Sequence, residues 1–189
     1  MSCYDLETLR RECREGKNHR FVFFWKPTPQ PDGNLGEGCL GQWWPSDFTV
    51  DGVGYCCAEQ YMMAGKARMF GDDEMLAAIL GTRDPKRMKA LGRAVRNFRK
   101  EVWDARCRQL VLEGNLAKFS QDPALLAYLL STGERILVEA SPLDRIWGIG
   151  MGKNNPDAGD PMKWRGRNLL GFALTEARDR LAAGKGETE

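Results

Sequence analysis

The spacing of apolar residues changes along the 189-residue chain, and the change separates helices from strands. Leu6, Leu9 and Cys13 share a helical face, so residues 5–16 read as a short amphipathic helix added at the periphery. Phe21-Val-Phe-Phe-Trp25 is an unbroken β-branched and aromatic run closed by Lys26-Pro27, the signature of a buried strand. Residues 27–41 are rich in proline and glycine and form a loop. From Thr49 to Tyr55 the pattern is a hairpin turning on Asp51-Gly52, which delivers the chain into a helix carrying Glu59 and Lys66.

Downstream the pattern is helical. Asp84-Pro85 supplies a cap and a first-turn proline for a helix running to Arg93. A longer helix is expected over 97–113, with Trp103, Cys107 and Leu110 on one stripe and Gly114-Asn115 as its stop. Asp122-Pro123 opens a helix reaching Leu130, closed by Thr132-Gly133, and Ile136–Ala140 is a short strand. Residues 154–166 are polar, with Pro156, Gly159 and Pro161, and read as a lid or surface loop. The last helix runs from Asn168 to Leu181, with Leu170, Leu174, Ala177 and Leu181 inward. The expected class is α+β: one compact, mostly helical domain over 21–183 with a few short strands, an N-terminal extension over 1–20 and a disordered tail over 184–189.

Composition narrows this picture only slightly. A hydrophobic fraction of 42% and a charged fraction of 29% are those of a globular, non-membrane protein, and no apolar run is long enough to span a bilayer. The N-terminus lacks a basic region followed by an apolar one, so no secretory signal is read; a cytoplasmic location and a monomer are the expectations. A net charge of +2 is too small to imply nucleic-acid binding by itself, so any such contact must be local. Six cysteines form no C-x-x-C pair, and with His19 the single histidine, no metal site is expected. They read as reduced thiols, and Cys/His catalysis would have to recruit His19 from a charged N-terminal stretch.

The candidate chemistry starts at Glu59 and Lys66. Seven residues apart on a helix, they lie two turns apart on nearly one face, among Met62, Met63, Ala64 and Ala67. An amine in apolar surroundings loses hydration, which frees it as a nucleophile; two solvated charges on a helix face are the plainer alternative. Trp43 and Trp44 could stack on a flat ring or fill the core. In Asp144-Arg-Ile-Trp-Gly-Ile-Gly-Met-Gly-Lys153, alternating glycines could cradle an anion or simply turn the chain. The spacing is neither the dinucleotide fingerprint nor a Walker loop.

Read together, Gly52, Glu59, Lys66, Trp103, Lys118-Phe119, Glu139, Asp144, Trp147-Gly148, Gly166-Arg-Asn168-Leu-Leu-Gly171 and Arg178 fall in the order seen in NADAR (YbiA-like) proteins. The chain resembles that family over roughly residues 21 to 182, most specifically in E-x6-K, D-x-x-W-G-x-G and G-x-N-x-L-G. It departs from the family's pattern at Gly41-Gln42-Trp43, at Gln60 and at Ile149, which weakens the expectation of a small YbiA-type substrate. The resemblance implies an N-glycosidase without a cofactor that recognises ADP-ribose or a related ribosyl phosphate, with ADP-ribosylated guanine in nucleic acid or a ribosylamino-pyrimidine as substrate; a module that binds ADP-ribose without cleaving it is the alternative. It implies Lys66 as nucleophile through a Schiff base and Glu59 as the leading proton-transfer group. Asp144 could hold Lys66, stabilise the developing cation or act as the acid. Phe24, Gln42, Trp43, Trp103, Trp147, Gly148, Gly150 and Asn168 are the implied substrate contacts, with Arg167 and Lys153 as possible phosphate partners.

Overall fold

The computed structural model describes residues 4–186, which form two compact units. One unit comprises the chain up to Gly41 and from Ala124 onward; the other is the continuous stretch from Gln42 to Pro123.

In the discontinuous unit, strands β1 (Phe21–Phe24) and β4 (Ile136–Glu139) pair in parallel, with Phe21 opposite Ile136 and Phe24 opposite Glu139. Helix α7 (Leu169–Gly186) packs on β4, where the Leu137 N–H donates to the Thr175 hydroxyl at 3.1 Å. Helix α1 (Leu6–Arg14) starts at Asp5, whose carboxylate accepts the Thr8 N–H at 2.8 Å. The expectation of a peripheral helix is corrected, because fully buried Leu9 belongs to the same core as Val138, Ile149, Trp164 and Phe172. Residues 154–166 are not a free lid either. Trp164 is 5% exposed and its indole N–H donates to the Ala158 carbonyl, while Arg10 donates to the carbonyls of Pro161 and Trp164. Helix α6 (Pro123–Ser131) ends before Gly133, whose φ of 58° only glycine adopts readily. Residues 184–186, expected in the tail, belong to α7, and 187–189 lie outside the described residues.

The continuous unit opens with the predicted hairpin, β2 (Phe48–Val50) antiparallel to β3 (Val53–Tyr55). Asp51 and Gly52 both have positive φ, 50° and 76°, which fits the strands' twist. Four helices follow: α2 (Ala58–Met69), α3 (Asp73–Leu80), α4 (Pro85–Arg93) and α5 (Lys100–Ser120). Of α2's twelve residues eight are buried, because α3, α4 and α5 all pack on it. A helix wrapped on several sides needs no polar face. Gly65, Gly92 and Gly114 permit that close approach: a Cβ would fall 2.6 Å from Leu110, 2.0 Å from Met63 Sδ and 2.5 Å from Tyr61, respectively.

Helix α5 overruns its expected stop. Gly114 lies inside it because Tyr61 occupies the space a side chain would need. Asn115 continues the helix, its amide donating to the Val111 carbonyl at 2.8 Å and to Gln42 Oε1 at 3.0 Å. The expected start is corrected too, since Asn97 takes φ 57° in the preceding turn and the helix begins at Lys100.

Candidate active site

Lys66 lies in the last turn of α2, half-buried. Its Nζ donates to the Gly92 carbonyl at 2.7 Å and stands 4.2 Å from the Phe98 ring centroid and 5.4 Å from that of Trp103. Within its unit it forms no ion pair. With no carboxylate in the unit to hold the charged form, burial lowers the Lys66 pKa below the ordinary lysine value, which increases the share of neutral amine. This is the environment a lysine nucleophile requires.

Around Lys66 the structure adds residues that sequence reasoning missed. The Gly92 carbonyl reaches the amine because α4 packs tightly on Met63. Phe98 is held by the turn before α5, and that turn is pinned by Asp72. The Asp72 carboxylate accepts the Arg96 backbone N–H at 2.8 Å and two guanidinium N–H groups at 3.1 and 2.6 Å. Arg96 holds the Asp72 carboxyl far below the usual carboxylate range. A carbonyl contact and a ring from a turn 32 residues downstream of Lys66 leave no local pattern to read.

Glu59, in the first turn of α2, is 6% exposed, and its N–H donates to the Gln42 carbonyl at 2.9 Å. Gln42 thus ties α2 through its backbone and α5 through its side chain. Gln60 is a bracket rather than a site group: its amide bridges the Cys56 N–H and the carbonyls of Ile79 and Thr82. Half-buried Trp43 lies 5.9 Å from Lys89 Nζ. The cleft of about 440 Å³ lined by Phe48, Tyr55, Gln60 and Arg83 contains neither Lys66 nor Glu59. Chemistry rather than this cleft locates the candidate site.

The remaining candidates lie in the discontinuous unit. Asp144 Oδ1 accepts the N–H groups of Ile146 and Trp147 at 2.9 and 2.8 Å, so this carboxylate shapes its own turn. Trp147 is half-buried. The glycines serve close backbone packing: a Cβ on Gly148 would fall 2.7 Å from the Glu139 carbonyl, and Gly150 takes φ 68°. Asn168, fully buried, accepts the Glu139 N–H at 2.9 Å and donates to the Leu137 carbonyl at 3.0 Å. Its side chain clamps β4 rather than capping α7. Phe24 is 1% exposed and presents no free ring face; the exposed aromatic beside it is Trp25.

Comparison with known proteins shows the family and the fold. Residues 23–182 match the NADAR domain. An N-glycosidase of Acanthamoeba polyphaga mimivirus is 43% identical over 165 residues, covering 85% of this chain and 95% of the relative. The N-glycosidase YbiA of Escherichia coli is 31% identical over 142 residues, 75% of this chain and 79% of the relative. A riboflavin biosynthesis protein of Vibrio vulnificus is 30% identical over 183 residues, 95% of this chain but 41% of that protein. The NMR structure of E. coli YbiA superposes with a TM-score of 0.72 at 26% identity, covering 90% of each chain. Fold and relatives define an enzyme, a hydrolase acting on N-glycosyl bonds. The chain belongs to the NADAR family. Among the described residues no helix is long and apolar enough to cross a membrane.

Proposed function

We propose that this protein hydrolyses the C–N bond joining ADP-ribose to a nucleobase, guanine in nucleic acid, and releases ADP-ribose. The observation that carries this reading is the state of Lys66, an amine under two aromatic rings with its pKa lowered and no ion pair within its unit. Cleaving an N-glycosidic bond builds positive charge on the anomeric carbon and negative charge on the departing nitrogen. The neutral Lys66 amine attacks that carbon as the C–N bond breaks, and the base leaves with a proton. The lysine adduct opens to a Schiff base, and water hydrolyses it to free ADP-ribose and the restored amine. Glu59, on Lys66's helical face, is the candidate for the proton transfer. Trp103 and Trp43 supply flat surfaces for a base or ribose.

A second reading takes a ribosylamino-pyrimidine phosphate as substrate, favoured by the riboflavin biosynthesis protein among the relatives. Incubation with an oligonucleotide bearing ADP-ribosylated guanine, and separately with a ribosylamino-pyrimidine phosphate, decides between them. Free ADP-ribose released from the oligonucleotide is the expected result. Cleavage of the pyrimidine alone establishes the second reading, and tight oligonucleotide binding without release makes the protein a binding module.

A further inference from the structure

One segment of the continuous unit holds most of the chain's positive imbalance. Residues 83–100 contain eight of the 28 basic residues and one of the 26 acidic ones, leaving 20 basic and 25 acidic elsewhere. Outside this segment the chain is net acidic.

Helical geometry sorts these charges. At 3.6 residues per turn, Lys86, Lys89 and Arg93 fall within about 60° of one another on α4. Of the buried residues of α4, Met88 lies at least about 100° round the helix from all three, and Gly92 lies about 60° from Lys89. Lys86, Arg87, Arg93 and Arg99 are exposed. Three cations of the segment already have carboxylate partners: Arg83 pairs with Asp47, Arg96 with Asp72 and Glu74, and Lys100 with Asp104. Lys86, Arg87, Lys89, Arg93 and Arg99 form no ion pair within the unit. Like charges three and four residues apart on a helix destabilise it, so a polyanion that neutralised them would relieve a built-in repulsion.

The same segment encloses the amine. Gly92, one residue before Arg93, accepts the Lys66 hydrogen bond, and Phe98, one residue before Arg99, covers it. The geometry points to α4 and the turn after it as a track for the phosphate backbone of a single-stranded nucleic acid, leading its bases to Lys66. Phe98 is 43% exposed, and Trp43 lies beside Lys89, so two aromatic surfaces adjoin the track. The five cations without a carboxylate partner in the unit outnumber the two charges that the pyrophosphate of ADP-ribose carries, so the segment suits a longer polyanion. The surface rests on the N-glycosidase reading only for what happens to the base once it arrives.

The test is the binding of an unmodified, fluorescently labelled 12-nucleotide DNA strand, followed by anisotropy against salt. The protein is compared with Lys86→Ser/Arg87→Ser/Arg93→Ser and with the charge-keeping Lys86→Arg/Arg93→Lys. Neutralising three phosphate contacts gives a log–log salt slope of about −2, which the triple variant flattens toward zero while losing at least about tenfold in affinity at low salt. The charge-keeping variant retains the slope, and equal far-UV circular dichroism shows that both variants are folded. An unchanged slope in the triple variant overturns the inference, as does binding to anionic lipid vesicles without binding to the strand. Lost strand binding in the charge-keeping variant also overturns it, because shape rather than charge would then be recognised. If strand binding behaves as expected but no ADP-ribosylated strand is cleaved, the surface stands and the proposed substrate falls. If strands are cleaved equally well by the triple variant, the substrate stands and the surface falls.

Discussion

Lys66 and Arg178 are both sheltered cations on core helices, and their surroundings assign them opposite work. Arg178 in α7 is 5% exposed, and its guanidinium meets the Asp179 carboxylate at 2.8 Å, the Thr132 hydroxyl and the Arg135 carbonyl. Each partner lies where a planar fork of donors can reach it, so the group is a clamp with a fixed charge. Lys66 has one carbonyl and two ring faces. A buried cation given a carboxylate stabilises the fold, whereas one denied a carboxylate becomes a base and a nucleophile. Burial alone does not distinguish them; the count of anionic partners does.

The most severe way to break this contrast is to give position 66 the other residue's chemistry. Lys66→Arg keeps the charge and much of the bulk but cannot supply a neutral amine, so turnover falls to background while ligand binding persists. Borohydride added during turnover reduces the Schiff base and leaves a sugar adduct on Lys66 of the wild-type protein and none on the variant, as peptide mass spectrometry reads out. Turnover by Lys66→Arg, or an unmodified Lys66 in an active reduced sample, would sink the covalent route.

Removing the clamp acts on stability instead. Arg178→Ala leaves Asp179 only the Tyr4 hydroxyl at 3.1 Å and takes a donor from the buried Thr132 hydroxyl and the Arg135 carbonyl, which costs about 1–3 kcal/mol because Asp179 keeps part of its hydration. Chemical denaturation measures it. The turnover number per folded molecule is expected to stay near wild type, and its collapse would show that the clamp also serves chemistry.

The mildest change sharpens the role of the rings. With a depressed Lys66 pKa the neutral amine grows in as pH rises through that value, so kcat/KM climbs with pH with its midpoint below the ordinary lysine value of about 10.4. Phe98→Ala opens the amine to water and returns its pKa upward, so the rising limb moves to higher pH. An unmoved limb would mean that Phe98 does not control the hydration of Lys66.

Much of this arrangement is legible in the sequence where the physics is local. Asp51-Gly52 specifies its own turn, Asp84-Pro85 its own helix start, and the apolar neighbours of Glu59 and Lys66 their burial. Non-local packing hid the rest. Gly114-Asn115 reads as a stop until Tyr61 fills the glycine's space and Gln42 takes the asparagine's amide. Asn168 reads as a substrate contact until β4 claims both ends of its amide. Gly92 acts on Lys66 through its carbonyl, an atom every residue possesses. The basic segment was open to inspection, but averaging charge over the whole chain to +2 concealed it.

The parallel pairing of β1 with β4 carries a consequence for the order of assembly. Phe21 to Phe24 emerge early in synthesis, yet their partners are residues 136–139. Every residue from Gln42 to Pro123 is made in the interval. The earlier strand must therefore wait, its backbone donors unmatched, while the helices that bear Lys66 are already free to condense. Closing so long a loop is entropically slow, and much of its cost disappears if the intervening segment has already collapsed and drawn its ends together.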